Sequence, residues 1–114
     1  MAFCAEDIQQ IIVIEFIKQC TNLPVVHIAN QRSTSPQHGS MLKRMGVRKG
    51  CSDLFIPRAT SIHHGFWLEL KTLKGKPTQE QIQFLDEMRS EGYMTAVCYG
   101  SQHAINTIKE VYNL

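Results

Sequence analysis

"GCSDLFIPRA" (residues 50–59) and "GFWLELKT" (residues 65–72) decide how this chain folds. Each centres on a short apolar run of the kind that fills a sheet, and a brief loop joins them. Yet Asp53, Glu69 and Lys71 stand within those runs. Charge placed in a sheet interior costs several kcal/mol per group unless a partner offsets it. Side chains alternate along a strand, so Glu69 and Lys71 share one face while Leu68 and Leu70 take the other. Asp53 opens the neighbouring strand, and pairing the two strands as a hairpin brings Asp53 within a few ångströms of Glu69. Two carboxylates that close repel each other, and a divalent cation that prefers oxygen, Mg²⁺ or Mn²⁺, is the natural charge to set between them. Lys71 beside such a cation meets a phosphate or an attacking water, a combination suited to phosphodiester hydrolysis. The competing reading is an edge-strand ion pair on a solvent face.

Outward from this pair, the periodicity predicts the rest of the elements. Residues 5–20 read as an amphipathic helix. With about 100° per residue, Val13, Ile17 and Cys20 fall within roughly 40° of Glu6, whereas Glu15 falls on the opposite side. Of the two, Glu6 is the carboxylate placed to face a site; favour from the helix dipole is its alternative explanation. "PVVHIAN" (24–30) reads as a first strand, "QRSTSPQHGS" (31–40) as loop, and "SMLKRMG" (40–46) as a short helix stopped by Gly46. The two opening strands follow. A helix then begins with Thr78 as N-cap and Gln81 three residues on, the capping-box spacing, with Ile82, Phe84, Leu85 and Met88 as its apolar stripe and Gly92 at its end. "MTAVCYG" (94–100) reads as a fourth strand and "SQHAINTIKEVYNL" (101–114) as a last helix capped by Ser101. The order α-β-(α)-β-β-α-β-α predicts an α/β fold, a mixed sheet flanked by helices, as one domain over residues 1–114.

Bulk properties agree. The chain has 114 residues, 43% of them hydrophobic and 19% charged, which suits a folded domain with its own core. Lys and Arg number 12 against 10 Asp and Glu, a mild basic bias compatible with nucleic acid. The start is interrupted by Glu6, Asp7 and Glu15, so it reads as neither a signal peptide nor a membrane span. Cys4, Cys20, Cys51 and Cys98 are scattered without a C-x-x-C pair, which argues against a zinc ribbon and for reduced cytosolic thiols.

Taken together, G-x-x-D at Gly50–Asp53, E-x-K at Glu69–Lys71 and a following helix with Gln81 resemble the PD-(D/E)XK nuclease superfamily, and more narrowly the VRR-NUC family. The likeness runs through "EDIQQIIVIEFI" (6–17), "VVHIANQR" (25–32), "MGVRKGCSDLFIPRA" (45–59) and the stretch from Gly65 to Gly100. It implies a restriction-endonuclease-like core and a Mg²⁺- or Mn²⁺-dependent endonuclease acting on DNA. It makes Asp53 and Glu69 metal ligands, Lys71 the catalytic lysine, and Leu70 a ligand through its backbone carbonyl. Gln81 and Glu6 match further site positions, Glu6 as another metal ligand. Ser52 departs from the family pattern, which usually has proline before the aspartate. Stand-alone members are similar to Holliday junction resolvases, homodimers acting on branched or four-way DNA in bacteria and their phages. A monomeric flap or nicking nuclease and a non-catalytic DNA-binding module are the rival readings.

Other residues have two readings each. Lys43, Arg44, Arg48 and Lys49 just before Asp53 form either a solvated face or a phosphate-contacting patch, and Lys74 and Lys76 after the third strand join the DNA-contacting set. His27 and Asn30 either line the site or serve the fold. Gln81 is a capping residue, a site residue, or both. His63 and His64, lacking an acidic or cysteine partner at ligand spacing, read as loop residues beside DNA rather than as a zinc site. Trp67 reads as core or subunit interface.

Overall fold

The structure is a computed structural model that describes residues 5–29 and 35–114. Its elements run α1 (Ala5–Cys20), β1 (Val26–His27), α2 (Pro36–Arg44), β2 (Leu54–Ile56), β3 (Phe66–Lys71), α3 (Gln79–Ser90), β4 (Met94–Tyr99) and α4 (Ser101–Tyr112). This is the expected order. The four strands lie side by side as β1-β2-β3-β4, with β1/β2 and β2/β3 antiparallel and β3/β4 parallel. The sheet is therefore mixed, and α3 serves as the crossover that a parallel pair requires.

Alternation along β3 sorts the layers. Phe66, Leu68 and Leu70 join Val13 and Ile17 of α1 and Ala104 and Ile108 of α4 in one buried cluster. On the opposite face Trp67 stacks on its cross-strand partner Phe55, ring centroids 4.3 Å apart, and meets Phe84 of α3 edge-on at 4.9 Å. Helices thus cover both faces, and Glu69 and Lys71 fall on the α3 face with Trp67.

Several boundaries differ from the sequence reading. The first strand is ordered as strand only over Val26–His27, both exposed, because it pairs on one side alone. Residues 36–40 belong to α2 rather than to a loop: Ser35 caps it by accepting the His38 N–H at 3.1 Å, and Pro36 occupies the first turn, where no N–H is needed. On α1, Cys20 is exposed, whereas Val13 and Ile17 on the same face are buried. On α3, Phe84 and Leu85 are buried but Ile82 is exposed. Ser101 does not cap α4. Gly100 occupies the cap position, and the Ser101 N–H is satisfied instead by Gln9 Oε1 of α1 at 2.7 Å. That bond ties the first helix to the last one.

Two glycines before Asp53 both have positive φ, +103° at Gly46 and +90° at Gly50. Nothing lies within 4 Å of where a Gly46 Cβ would stand, whereas a Gly50 Cβ would sit 2.6 Å from the Glu80 backbone carbon. Gly50 therefore lets the loop into Asp53 pack directly on the start of α3. Gly46→Ala should cost only the backbone strain, about 1–2 kcal/mol, and Gly50→Ala clearly more, measured by urea unfolding of both variants.

Candidate functional site

The β2/β3 register sets the geometry. Leu54 pairs with Leu68, so one step further along the same register sets Asp53 opposite Glu69. Opposed positions that do not exchange backbone bonds bring their side chains closest. Asp53 is fixed from both sides. Its carbonyl accepts the Ile28 N–H at 2.8 Å and lies 3.0 Å from His27 Nδ1, and its Oδ2 accepts the Leu70 N–H at 3.0 Å. Leu70 in an extended strand sends its carbonyl toward the same edge as its N–H, so that carbonyl faces the side Asp53 occupies.

Glu69 is 1% exposed. Its Oε2 accepts from Gln81 Nε2 at 3.3 Å and lies 3.6 Å from Lys71 Nζ. No donor among the described residues reaches Oε1, which is buried. Burial above all, then the Asp53 charge and a proton shared with Asp53, push the Glu69 carboxyl up to about 8; Lys71 opposes the rise and Glu6 adds to it. One ligand oxygen from each of Glu6, Asp53 and Glu69 lies within 4.8 Å of the other two. Three residues whose carboxylate oxygens come this close together would be the ones to hold one divalent cation. The all-oxygen donor set, its net negative charge and the unserved Glu69 Oε1 all fit a hard divalent ion.

Gln81 does two jobs. Its Oε1 accepts the Thr78 N–H at 2.8 Å while the Thr78 hydroxyl accepts the Gln81 N–H at 3.2 Å, a complete capping box. That fixes the amide orientation and leaves the NH₂ for Glu69. Gln81 thus caps α3 and contacts Glu69 at once.

The remaining candidates divide. Glu15 is exposed on the far side of α1. Arg48 bridges Glu87 at 2.7 Å and lies over the Phe84 ring, and Lys49 stands 3.7 Å from Glu80, so both are engaged by acids of α3. With Lys43 they line a cavity of about 640 Å³ that reaches Gln81. Arg44, Lys74 and Lys76 are exposed. His27 meets Asp53 through its backbone, and Asn30 lies outside the described residues. His64 packs edge-on against Tyr93, and Trp67 belongs to the aromatic cluster under α3. Sequence reasoning overlooked Cys51, which the field of the site reaches: burial raises its thiol, Arg48 lowers it, and Glu69 and Asp53 raise it again. Its place two residues before Asp53 was the signal.

With this geometry in view, comparison with known proteins is specific. The model of the VRR-NUC domain matches residues 5–102. The chain belongs to the VRR-NUC domain family. A solved chain described as a "VRR_NUC domain protein" superposes with a TM-score of 0.76 at 25% identity, covering 100% of this chain and 93% of that one. A search of curated proteins found no match. Membership of the VRR-NUC family implies a nuclease-type function with DNA as substrate. Among the described residues, no helix is long and apolar enough to cross a membrane.

Two outcomes follow from the site's burial. Ser52, in the position where the family pattern usually has proline, is fully buried, and no described residue bonds its hydroxyl. Ser52→Ala should be neutral or stabilising, by up to about 1 kcal/mol, in chemical denaturation. Glu69 keeps its proton to about pH 8 when folded but releases it near 4.5 when unfolded. Between those values the folded state holds more protons, so in chelator its contribution is full below about pH 4.5 and lost as pH rises to about 8. Melting temperatures in EDTA should fall across that window, and Glu69→Gln should flatten the fall.

Proposed function

We propose that this chain, as one domain over residues 1–114, is a metal-dependent DNA endonuclease that cuts branched DNA, a homodimeric resolvase of four-way junctions. The observation that carries it is the convergence of Glu6, Asp53 and Glu69, with Glu69 Oε1 buried and unserved, beside Lys71. Glu6, Asp53, Glu69 and the Leu70 carbonyl would hold Mg²⁺ or Mn²⁺. A cation there supplies Lewis acidity toward a phosphoryl oxygen and a water of lowered pKa. Lys71, mostly buried beside Glu69, orients the attacking water and offsets charge that grows on the phosphate in the transition state. Gln81 holds the Glu69 carboxylate through an amide that the capping box has already oriented. Asp53 is held by the Leu70 N–H, so the carboxylates start in place rather than being gathered at the moment of reaction.

Arg48, Lys49 and Lys43 beside Gln81 supply phosphate contacts along the strand, joined by Arg44, Lys74 and Lys76. The strip formed by Ile8, Ile11 and Ile12 on α1, each at least 40% exposed, supports pairing with a second copy. Two-fold pairing sets two identical sites against the symmetry-related strands of a junction. The setting is the cytoplasm of a bacterium or of a phage-infected one.

The test is cleavage of a synthetic four-way junction beside linear duplex and flap DNA, in Mg²⁺, Mn²⁺ or EDTA. Paired symmetric nicks in the junction should require metal, and Asp53→Ala and Lys71→Ala should each lower the rate by at least about 100-fold without loss of fold. Cutting of the flap alone by a species sedimenting as a monomer would overturn the resolvase. Junction binding without cutting in either metal would overturn the enzyme.

A further inference from the structure

A second cavity, of about 600 Å³, shares no lining residue with the groove around Arg48. The elements that deliver the site also wall it. Ala5 and Gln9 of α1 bracket Glu6, and Thr72, Leu73 and Lys74 follow directly on Lys71. Tyr99, which also lines it, is the partner of Lys71 in the β3/β4 register, and the Gly100 N–H donates to the Lys71 carbonyl at 2.9 Å. The cavity opens where the two parallel strands end, the place where open α/β sheets receive ligands.

Its chemistry differs from that of the groove around Arg48. Leu73 is 83% exposed, held out on a turn closed by the Gly75 N–H donating to the Thr72 carbonyl at 3.0 Å. Leu73 and Tyr99 among the lining residues offer apolar and aromatic contact area rather than charge, the Tyr99 ring lying nearly parallel to that of His103 with centroids 6.3 Å apart. Hydrogen-bonding capacity is nevertheless left at the rim. Gln9 accepts the Ser101 N–H with its carbonyl oxygen and Gln102 donates its NH₂ to Asn106 Oδ1 at 2.9 Å; among the described residues nothing else bonds the Gln9 NH₂ or the Gln102 carbonyl oxygen. Lys74 adds one positive charge at the mouth.

We infer that this cavity receives a single unstacked nucleobase of the DNA strand being cut, its face against Tyr99 and Leu73 and its adjoining phosphate beside Lys74. The inference rests on the nuclease reading above and adds to it the form of the substrate. Aromatic faces take any base, since every base has a π-face, so the pocket reads the presence of a base and not its identity. A base stacked on both sides within a duplex has to be extruded first, and that cost is least where the nucleotide is already unpaired. The pocket therefore directs cutting toward DNA with an unpaired nucleotide next to the scissile phosphate, as at a branch point.

The experiment measures affinity in EDTA for a duplex bearing a single-stranded arm, with one abasic nucleotide moved stepwise through the branch and arm. Wild-type protein should lose roughly 5- to 100-fold in affinity at one position, the worth of one base stacked on an aromatic side chain. Tyr99→Leu should abolish that dependence. Leu73→Ala, which alters an exposed side chain and leaves the core alone, should weaken it. Binding that is equally tight at every abasic position overturns the inference, as does position dependence undiminished in both variants, or no binding at all. Cleavage of the unmodified arm in Mn²⁺ is read in parallel. Cutting with a flat abasic scan sinks the pocket and keeps the nuclease, whereas base-dependent binding without cutting keeps the pocket and sinks the nuclease.

Discussion

Where β2 ends, β3 runs on, and the carboxylate of Asp53 takes over from the missing strand. Leu54 is the last residue of β2 toward this side, facing Leu68, and the next β3 amide that needs a partner on this edge is that of Leu70. Asp53 Oδ2 supplies it. An edge amide left bare would be a standing invitation to another strand; here a charged acceptor closes it and in return is pinned above the face that carries Glu69. The same step of register that ends the sheet therefore creates the site. Glu69, with no room to leave the sheet, is held as a buried carboxylate beside another, a state that favours a proton or a cation in the gap.

The neighbouring helix is coupled to this pair by one side chain. Gln81 closes the capping box of α3 and contacts Glu69, so the helix start and the carboxylate are positioned relative to each other. Gly50 brings the loop before Asp53 against Glu80 in the same turn of α3. Helix start, loop and strand thus meet at one corner. Substituting Gln81 disturbs helix stability and the Glu69 environment together, and only a cycle that varies Thr78 as well separates the two effects.

Much of this was legible in the sequence because the decisive residues broke a local rule. Charges inside apolar strands at Asp53, Glu69 and Lys71 have few physical explanations, and strand alternation sorted them to one face. The helical wheel selected Glu6 over Glu15 for a similar reason, and the structure sets Glu6 with the other two carboxylates. The misses came from partners far along the chain. Ser101 looked like a cap, but Gln9 does the capping from 92 residues away. Within the basic run before Asp53, the ion pairs of Arg48 and Lys49 with Glu87 and Glu80 were likewise hidden, since no spacing rule connects that helix to them. The start of α2 was hidden by composition: Ser, Gln, His and Gly read as loop, although Ser35-Pro36 is a helix opening.

The Gln9–Ser101 bond also bears on the order in which the protein becomes able to act. Glu6 stands near the beginning of the chain, on a helix whose neighbours are the last helix and the third strand. During synthesis residue 6 is made long before residue 101, and until α4 has formed α1 has only the β3 part of its packing surface and lacks its bond to Ser101. Asp53 and Glu69 come together earlier, within a local hairpin. The third carboxylate is fully positioned only once α4 has packed on α1. A chain in which α4 has not yet formed therefore holds Glu6 loosely, and docking of α1 on α4 completes the acid cluster.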